Sequence, residues 1–180
     1  MASDTAIQAA AGVTLILGGA RSGKSAFGEA MIAASGLAPV YIATSRIHDE
    51  EMRGRIDHHK ARRGPEWTTV EEPDDLEGAL RREARLGRAV LVDCLTLWVT
   101  NLMMAEADIA ARAKSLLATL ETIESPVVLI SNEVGLGIVP DNKMARDFRD
   151  HAGRLHQDVA AMADNVHFIA AGLPLQLKGS

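Results

Sequence analysis

The sequence predicts a single α/β domain in which a mostly parallel sheet carries helices on both faces. Three observations carry that expectation. Short β-branched or apolar runs alternate with helix-patterned segments, as strands joined by helical crossovers do. The runs Val13–Leu17, Ala89–Asp93 and Val127–Ser131 are almost continuously apolar rather than alternating, the mark of strands covered on both sides. A chain of 180 residues, 47% hydrophobic and 24% charged, can bury one substantial core but not two ordinary ones.

The elements follow in order. The first dozen residues, MASDTAIQAAAG, read as a flexible extension, which leaves 13–180 as the folded domain. Strands are expected at Val13–Leu17, Val40–Ala43, Trp67–Glu71, Ala89–Asp93, Val127–Ser131 and Val166–Ala170. A helix over Ser25–Ser35 stops at Gly36, a favourable residue just past a helix end. A second over Asp49–Arg63 opens on three acids, which suit a helix N-terminus. A third over Asp74–Leu86 follows Pro73 and stops at Gly87. Ile109, Leu116, Leu117, Leu120 and Ile123 keep helical spacing, as do Met144, Phe148, Leu155, Val159 and Met162.

Bulk composition removes several classes of function. A net charge of −5 and 3% aromatic residues lack the basic footprint and stacking platforms of a nucleic-acid binder. Cys94 is the only cysteine, so neither an intramolecular disulfide nor a multi-cysteine metal site can form. The N-terminus has no basic stretch ahead of an apolar one, and no run approaches the roughly 20 apolar residues of a spanning helix. The expected setting is cytoplasmic, with no membrane span.

The strongest motif is Gly18-Gly19-Ala20-Arg21-Ser22-Gly23-Lys24-Ser25, which satisfies G-x-x-x-x-G-K-[ST] without a mismatch, after a strand and before a helix. Glycines there let backbone N–H groups close around phosphate oxygens, and the helix N-terminus adds a favourable dipole. Lys24 would reach the terminal phosphates and the Ser25 hydroxyl would ligate Mg²⁺. Asp93 closes the run Ala-Val-Leu-Val-Asp, where a Walker B carboxylate on the metal's other side would stand. The domain 13–180 is therefore a P-loop nucleotide-binding catalytic domain. A guanine-reading N-K-x-D motif is absent: Asn142-Lys143-Met144-Ala145 has Ala where Asp is required.

Two further segments bear on chemistry. The run Arg55-Ile56-Asp57-His58-His59-Lys60-Ala61-Arg62-Arg63, read as a helix, places His59 on the stripe of Met52, Ile56 and Arg63, with His58 nearer Arg55 and Arg62. On pattern alone such a run is a solvated helix face, and His59 a partly buried core residue. Neighbouring cations, however, favour the neutral and nucleophilic imidazole, and can also neutralise phosphates. The loop Asn132-Glu133-Val134-Gly135-Leu136-Gly137-Ile138-Val139-Pro140 follows a strand at the end where α/β sheets bind ligands.

Together GGARSGKS, YIAT, the R-I-x-x-H-K segment, W-T-x-x-E and NEVGLGIVP resemble the bifunctional adenosylcobinamide kinase/adenosylcobinamide-phosphate guanylyltransferase family. Arg146-Asp-Phe148-Arg149-Asp150 through Gly153-Arg154, and the tail Gly172-x-Pro174-x-x-Leu177-Lys178, extend the similarity over about residues 13 to 178. The resemblance implies a RecA-like P-loop fold and an enzyme of cobalamin biosynthesis. It implies phosphorylation of adenosylcobinamide by ATP or GTP. GMP then passes from GTP to adenosylcobinamide phosphate through a guanylylated histidine, giving adenosylcobinamide-GDP. By motif the nucleophile is His59, with His58 as competitor. The nucleotide sites would be residues 18–25, Ala43, Thr44, Ser45, Lys60, Ala61, Arg62, Arg63, Glu71 and Asp93, with Ser25 and Asp93 on Mg²⁺. A homo-oligomer, with a trimer as its expected form, is implied as well. One position departs from the family pattern: His156 stands where Asn is expected, which bears on corrinoid contacts or loop order. Two other readings of the P-loop stand beside this one, an ATPase acting as a conformational or motor subunit and a simple small-molecule kinase.

Overall fold

The computed structural model describes residues 12–46 and 63–179. Residues 1–11 of the expected extension 1–12, and most of the expected helix Asp49–Arg63 with both candidate histidines, lie outside the described residues. Within them the chain runs β1 (Val13–Gly18), α1 (Lys24–Ala34), β2 (Ala38–Ala43), β3 (Thr68–Glu71), α2 (Leu76–Glu83), β4 (Arg88–Asp93), α3 (Leu95–Met104), α4 (Ile109–Leu120), β5 (Val127–Asn132), α5 (Lys143–Met162), β6 (Asn165–Ala170) and β7 (Leu173–Lys178).

One seven-stranded sheet has the order β3-β2-β4-β5-β1-β6-β7. The first six strands pair in parallel, and only β7 returns antiparallel, on β6. Helices cover both faces, unequally. On one face α2, α3, α4 and α5 bury Leu80, Trp98, Leu116, Leu155 and Val159 against Leu15, Val40, Val90 and Leu129. On the other, α1 sets Met31 and Ile32 against Ile16, Tyr41, Leu91 and Ile130. Strands buried from both sides need no polar alternate positions, which is why their sequences read as unbroken apolar runs.

Each expected strand is present, with ends that differ by up to two residues. The third expected helix contracts to Leu76–Glu83, because Asp75 is its N-cap and accepts from the Gly78 amide. Asn142 likewise caps α5 by accepting from the Ala145 amide.

Two elements go beyond the sequence expectation. The helix α3, LTLWVTNLMM, buries Leu95, Thr96, Trp98, Val99, Asn101 and Leu102 on several sides, so it shows no amphipathic period. The strand β7 alternates Leu173, Leu175 and Leu177 with Pro174 between them, which suits an edge position where a missing N–H costs no ladder bond. Between α2 and α4, Glu77 (3% exposed) is held by Arg112 through bonds of 2.9 and 2.7 Å. Arg112 also donates to the Asp74 carbonyl, so the loop entering α2 is tied to the helical layer.

Candidate nucleotide and metal site

In a parallel sheet every strand ends on the same edge, and that edge collects the candidate site. Gly18 is in register with Asn132 and Ile169, and Ala43 with both Asp93 and Glu71. Residues more than a hundred positions apart in sequence therefore stand in one row, at the carboxyl ends where open α/β sheets bind ligands.

The turn from β1 into α1 is the cradle. Gly18 and Gly23 have φ of 155° and 104°, and Arg21 adopts a positive φ of 56°. A Cβ on Gly18 would lie 2.4 Å from the Ile169 carbonyl oxygen, and one on Gly23 would lie 3.1 Å from Gly172 Cα. Both glycines are required by close backbone approach. No side chain caps α1, so its first amides remain directed at the loop. Lys24 is buried, and its Nζ donates to the Gly19 carbonyl at 2.5 Å, across the loop. Burial pushes the Lys24 ammonium below its ordinary range, with Cys94 and Asp93 pulling it back.

Asp93 is the centre of a polar cluster. Its Oδ2 accepts from Ser25 Oγ at 2.9 Å and from the Tyr41 hydroxyl at 3.0 Å. The structure thus brings Ser25 and Asp93 together, a hydroxyl and a carboxylate oxygen at one point, which is the hard-oxygen donor set Mg²⁺ prefers. Among the described residues no cluster of three or more His, Cys, Asp or Glu side chains could hold a metal unaided. A magnesium ion here would complete its shell with water and nucleotide phosphates, as it does in phosphoryl-transfer sites.

Tyr41 opens the YIAT segment but is not among the site residues expected from the sequence. Parity places it beside them: it lies two residues before Ala43, hence on the same face of β2 as the Asp93 row. Burial, then the Asp93 charge, raises its hydroxyl far above the usual phenol range, so it remains a donor. The Arg63 guanidinium lies 3.3 Å from the Tyr41 ring centroid and is 8% exposed. Arg63 thus reaches the site by stacking on Tyr41.

The remaining expected residues divide. Ala43 and Glu71 stand on the strand-end row, and Ser45 lies half-buried just beyond it. Thr44 is fully buried; its hydroxyl donates to the Cys94 carbonyl at 2.7 Å and accepts from the Cys94 amide at 2.8 Å. Its amide bonds the Asp93 carbonyl and its own carbonyl accepts from Asn101, so Thr44 is a brace between β2 and β4. Lys60, Ala61, Arg62, His58 and His59 lie outside the described residues.

The loops rimming this edge are held by α3. Asn101 Nδ2 bonds the Thr44 and Pro73 carbonyls at 2.7 and 2.9 Å, and Trp98 Nε1 bonds the Asp74 carbonyl at 3.1 Å. Asn132 Nδ2 donates to Thr96 Oγ1 at 3.2 Å. Glu133 folds onto its own loop, accepting from the Gly135 and Leu136 amides, while its amide bonds the Gly18 carbonyl at 3.0 Å. Beneath it His156 Nε2 and Ser131 Oγ are 2.7 Å apart, both buried. His156 therefore faces the end of β5 and braces the base of that loop. Cys94 is buried, with its thiol pushed up to about 11 by burial and by Asp93, so it stays protonated and inert.

Comparison with known proteins adds an independent line. The family model described as cobinamide kinase / cobinamide phosphate guanyltransferase matches residues 14–177. A bifunctional adenosylcobalamin biosynthesis protein CobP from Pseudomonas aeruginosa is 49% identical over 167 residues, covering 92% of this chain and 96% of that protein. The Escherichia coli K12 protein named bifunctional adenosylcobalamin biosynthesis protein CobU is 40% identical over 179 residues, covering 91% and 98%. Among solved structures, the flagellar accessory protein FlaH from Methanocaldococcus jannaschii superposes with a TM-score of 0.58 at 13% identity, over 98% of this chain and 84% of that one. A KaiC-like protein from Pyrococcus horikoshii gives 0.52 at 15% identity, over 88% and 71%. At such identities these two share the fold, a RecA-like P-loop architecture, and nothing more is carried from them.

Proposed function

Since the chain belongs to the cobinamide kinase / cobinamide phosphate guanyltransferase family, we propose that it is a bifunctional enzyme of cobalamin biosynthesis that first phosphorylates adenosylcobinamide and then guanylylates the product. The observation that carries the first half is the meeting of Lys24, Ser25 and Asp93 at one strand edge, with Ser25 Oγ on Asp93 Oδ2 at 2.9 Å.

In the kinase step the aminopropanol hydroxyl of adenosylcobinamide attacks the γ-phosphorus of ATP or GTP, and the bond to the β-phosphate oxygen breaks. Residues 18–25 hold the phosphate chain through backbone amides, and Lys24 supplies a cation whose hydration has already been stripped by burial. Ser25 and Asp93 would hold Mg²⁺, whose contribution is to neutralise charge on the phosphates. Tyr41 keeps the Asp93 carboxylate oriented by donating to the same oxygen as Ser25.

In the transfer step the neutral imidazole of His59 attacks the α-phosphorus of GTP and pyrophosphate leaves. Adenosylcobinamide phosphate then takes the GMP group and frees the histidine. The intermediate divides one difficult displacement into two. This step is supported by the family and by the motif around His59, with Lys60, Arg62 and Arg63 beside the nucleotide phosphates. We also assign the chain to a homo-oligomer on the family's account, and residues 13–180 to one catalytic domain. Among the described residues no helix is long and apolar enough to cross a membrane.

Intact-protein mass measurement after mixing with GTP and Mg²⁺, followed by peptide mapping, tests the reading. A mass gain equal to one GMP group on the His59 peptide is the expected result. An unmodified protein that still phosphorylates adenosylcobinamide would reduce the enzyme to a simple kinase.

A further inference from the structure

The tail Gly172-x-Pro174-x-x-Leu177-Lys178 has no part in the chemistry above, yet the fold turns it back onto the phosphate cradle. The strands β6 and β7 form a hairpin in which Ala170 pairs with Leu173, so Ala171 and Gly172 are its two-residue turn. Both have positive φ, 52° and 80°, as the hairpin turns that match strand twist require. The Gly172 amide donates to the Ser22 carbonyl at 2.8 Å, inside the cradle. On the cradle's other flank the Glu133 amide holds the Gly18 carbonyl at 3.0 Å.

We propose that Gly172 is a positioning residue for nucleotide phosphates, and that the C-terminal hairpin is the element that aims the Gly23 amide of the cradle. The reasoning follows from the peptide unit. In a planar trans peptide the carbonyl and the following N–H point in opposite directions. A Ser22 carbonyl held toward the hairpin turn therefore directs the Gly23 N–H to the opposite side of the loop. Gly23 immediately precedes Lys24, whose Nζ spans the same loop to Gly19. The turn also comes close enough that a Cβ on Gly23 would lie 3.1 Å from Gly172 Cα, so the two backbones are in direct contact.

The hairpin is secured at both ends. The ladder with β6 closes the turn, and at the far end Lys178 Nζ donates to the Ala160 and Ala161 carbonyls at 3.1 and 2.8 Å. Those carbonyls belong to the last turn of α5, where an ammonium is favoured. Apart from this, β7 is exposed along its length and adds little to the core. Its contribution is the register of the turn.

The inference rests on the reading of residues 18–25 as a phosphate cradle, and the test separates the two. Binding of GTP with Mg²⁺ is measured by calorimetry for wild type, Gly172→Val, Gly172→Asn and Lys24→Ala, beside thermal melts with and without nucleotide. Both substitutions keep the main-chain N–H, but a β-branched residue resists positive φ and so displaces it, whereas Asn tolerates that φ and leaves the N–H in place. Gly172→Val is expected to bind about tenfold more weakly, the loss of roughly one hydrogen bond, with a matching loss of nucleotide-induced melting shift. Gly172→Asn should lie closer to wild type, and the nucleotide KM of Gly172→Val should rise more than its kcat falls. If Gly172→Val binds like wild type while Lys24→Ala does not, the hairpin proposal is overturned and the cradle stands. If Lys24→Ala also binds like wild type, the cradle reading falls with it. Should Gly172→Val not fold, amide hydrogen exchange of the wild-type Gly172 decides: slower exchange with nucleotide supports the proposal, and unchanged exchange overturns it.

Discussion

Replacing Asp93 by Asn separates the chemical role of this carboxylate from its structural one, because the two effects differ in size. Asp93 Oδ2 receives two hydroxyl donors, Ser25 at 2.9 Å and Tyr41 at 3.0 Å. An amide oxygen in the same place still accepts both, so the bonds change from charge-assisted to neutral. Hydrogen bonds to charged groups contribute about 1.5–3 kcal/mol and neutral ones about 0.5–1.5. Two such exchanges cost about 2 kcal/mol, and relief of the half-buried carboxylate's desolvation offsets part of that. The variant should therefore fold, with its melting temperature lowered by roughly 2–8 °C for a domain of this length. Catalysis should suffer more. An amide is a poor ligand for a hard dication, and losing one element of electrostatic stabilisation costs about 10²–10³ in kcat. The assay is adenosylcobinamide phosphorylation titrated against Mg²⁺, beside a thermal melt. A lower kcat with a higher Mg²⁺ requirement is expected. Unchanged metal dependence would make Asp93 a strand end that braces Tyr41 and Ser25, and would refute the metal assignment.

Three further outcomes are expected. Lys24→Ala should abolish kinase turnover without unfolding the protein, since it removes a cation that burial already disfavours; near-normal turnover would sink the assignment of the cradle. His59→Ala should lose the protein–GMP adduct formed from α-labelled GTP while keeping kinase activity, and His58→Ala should keep both; label on His59→Ala but not on His58→Ala would reverse the choice of nucleophile. The adduct should be labile in acid and survive base, as a histidine phosphoramidate is. Burial holds His156 below its ordinary pKa, with Glu133 opposing. Its folded value is depressed, so the unfolded chain binds the extra proton first, and stability is lost as pH falls from about 6.5 through the folded value. A urea-melt pH series should show this slope flattened in His156→Asn, and an equally steep slope in the variant would assign the effect elsewhere, the half-buried His167 being the other depressed histidine among the described residues.

How much of this was legible in the sequence depends on the range over which each signal acts. The cradle is contiguous, and its glycines, lysine and serine carry a local pattern, so Gly18 to Ser25 could be read directly. The central strands could be read as well, because burial from both faces removes the alternation of polar and apolar residues. The helix α3 could not, since immersion on several sides erases the period by which helices are recognised. Yet α3 supplies Asn101, Trp98 and Thr96, which pin the loops around the site. Tyr41 escaped for a different reason. Its role depends on the registration of β2 against β4, which places Ala43 beside Asp93, and registration is a property of pairing rather than of either strand alone. The family resemblance implied Thr44 as a nucleotide contact; in the fold its hydroxyl and backbone join two strand ends.

The proposed use of one cradle for attack at two different phosphorus atoms poses a geometric problem, and the described residues bear on it. The groups proposed for γ-transfer, namely Lys24, Ser25 and Asp93, lie at one end of β1 and β4. A nucleophile for the α-phosphorus has to come from elsewhere, and the chain between Arg46 and Arg63 carries His59. Both ends of that stretch are attached at the site: Arg46 pairs with Asp74, and Arg63 lies over the Tyr41 ring. His59 is four residues from Arg63 in sequence, a span of at most about 14 Å of extended chain. Tyr41 in turn donates to the carboxylate that Ser25 also touches. The covalent chain thus bounds the proposed nucleophile to about 14 Å from Arg63, a distance compatible with the proposed attack on the α-phosphorus. Cutting the Arg63 anchor should then impair the transferase more than the kinase. Arg63→Ala, compared for adduct formation and for phosphorylation, is the corresponding measurement, and equal loss of both would show that Arg63 serves the cradle itself.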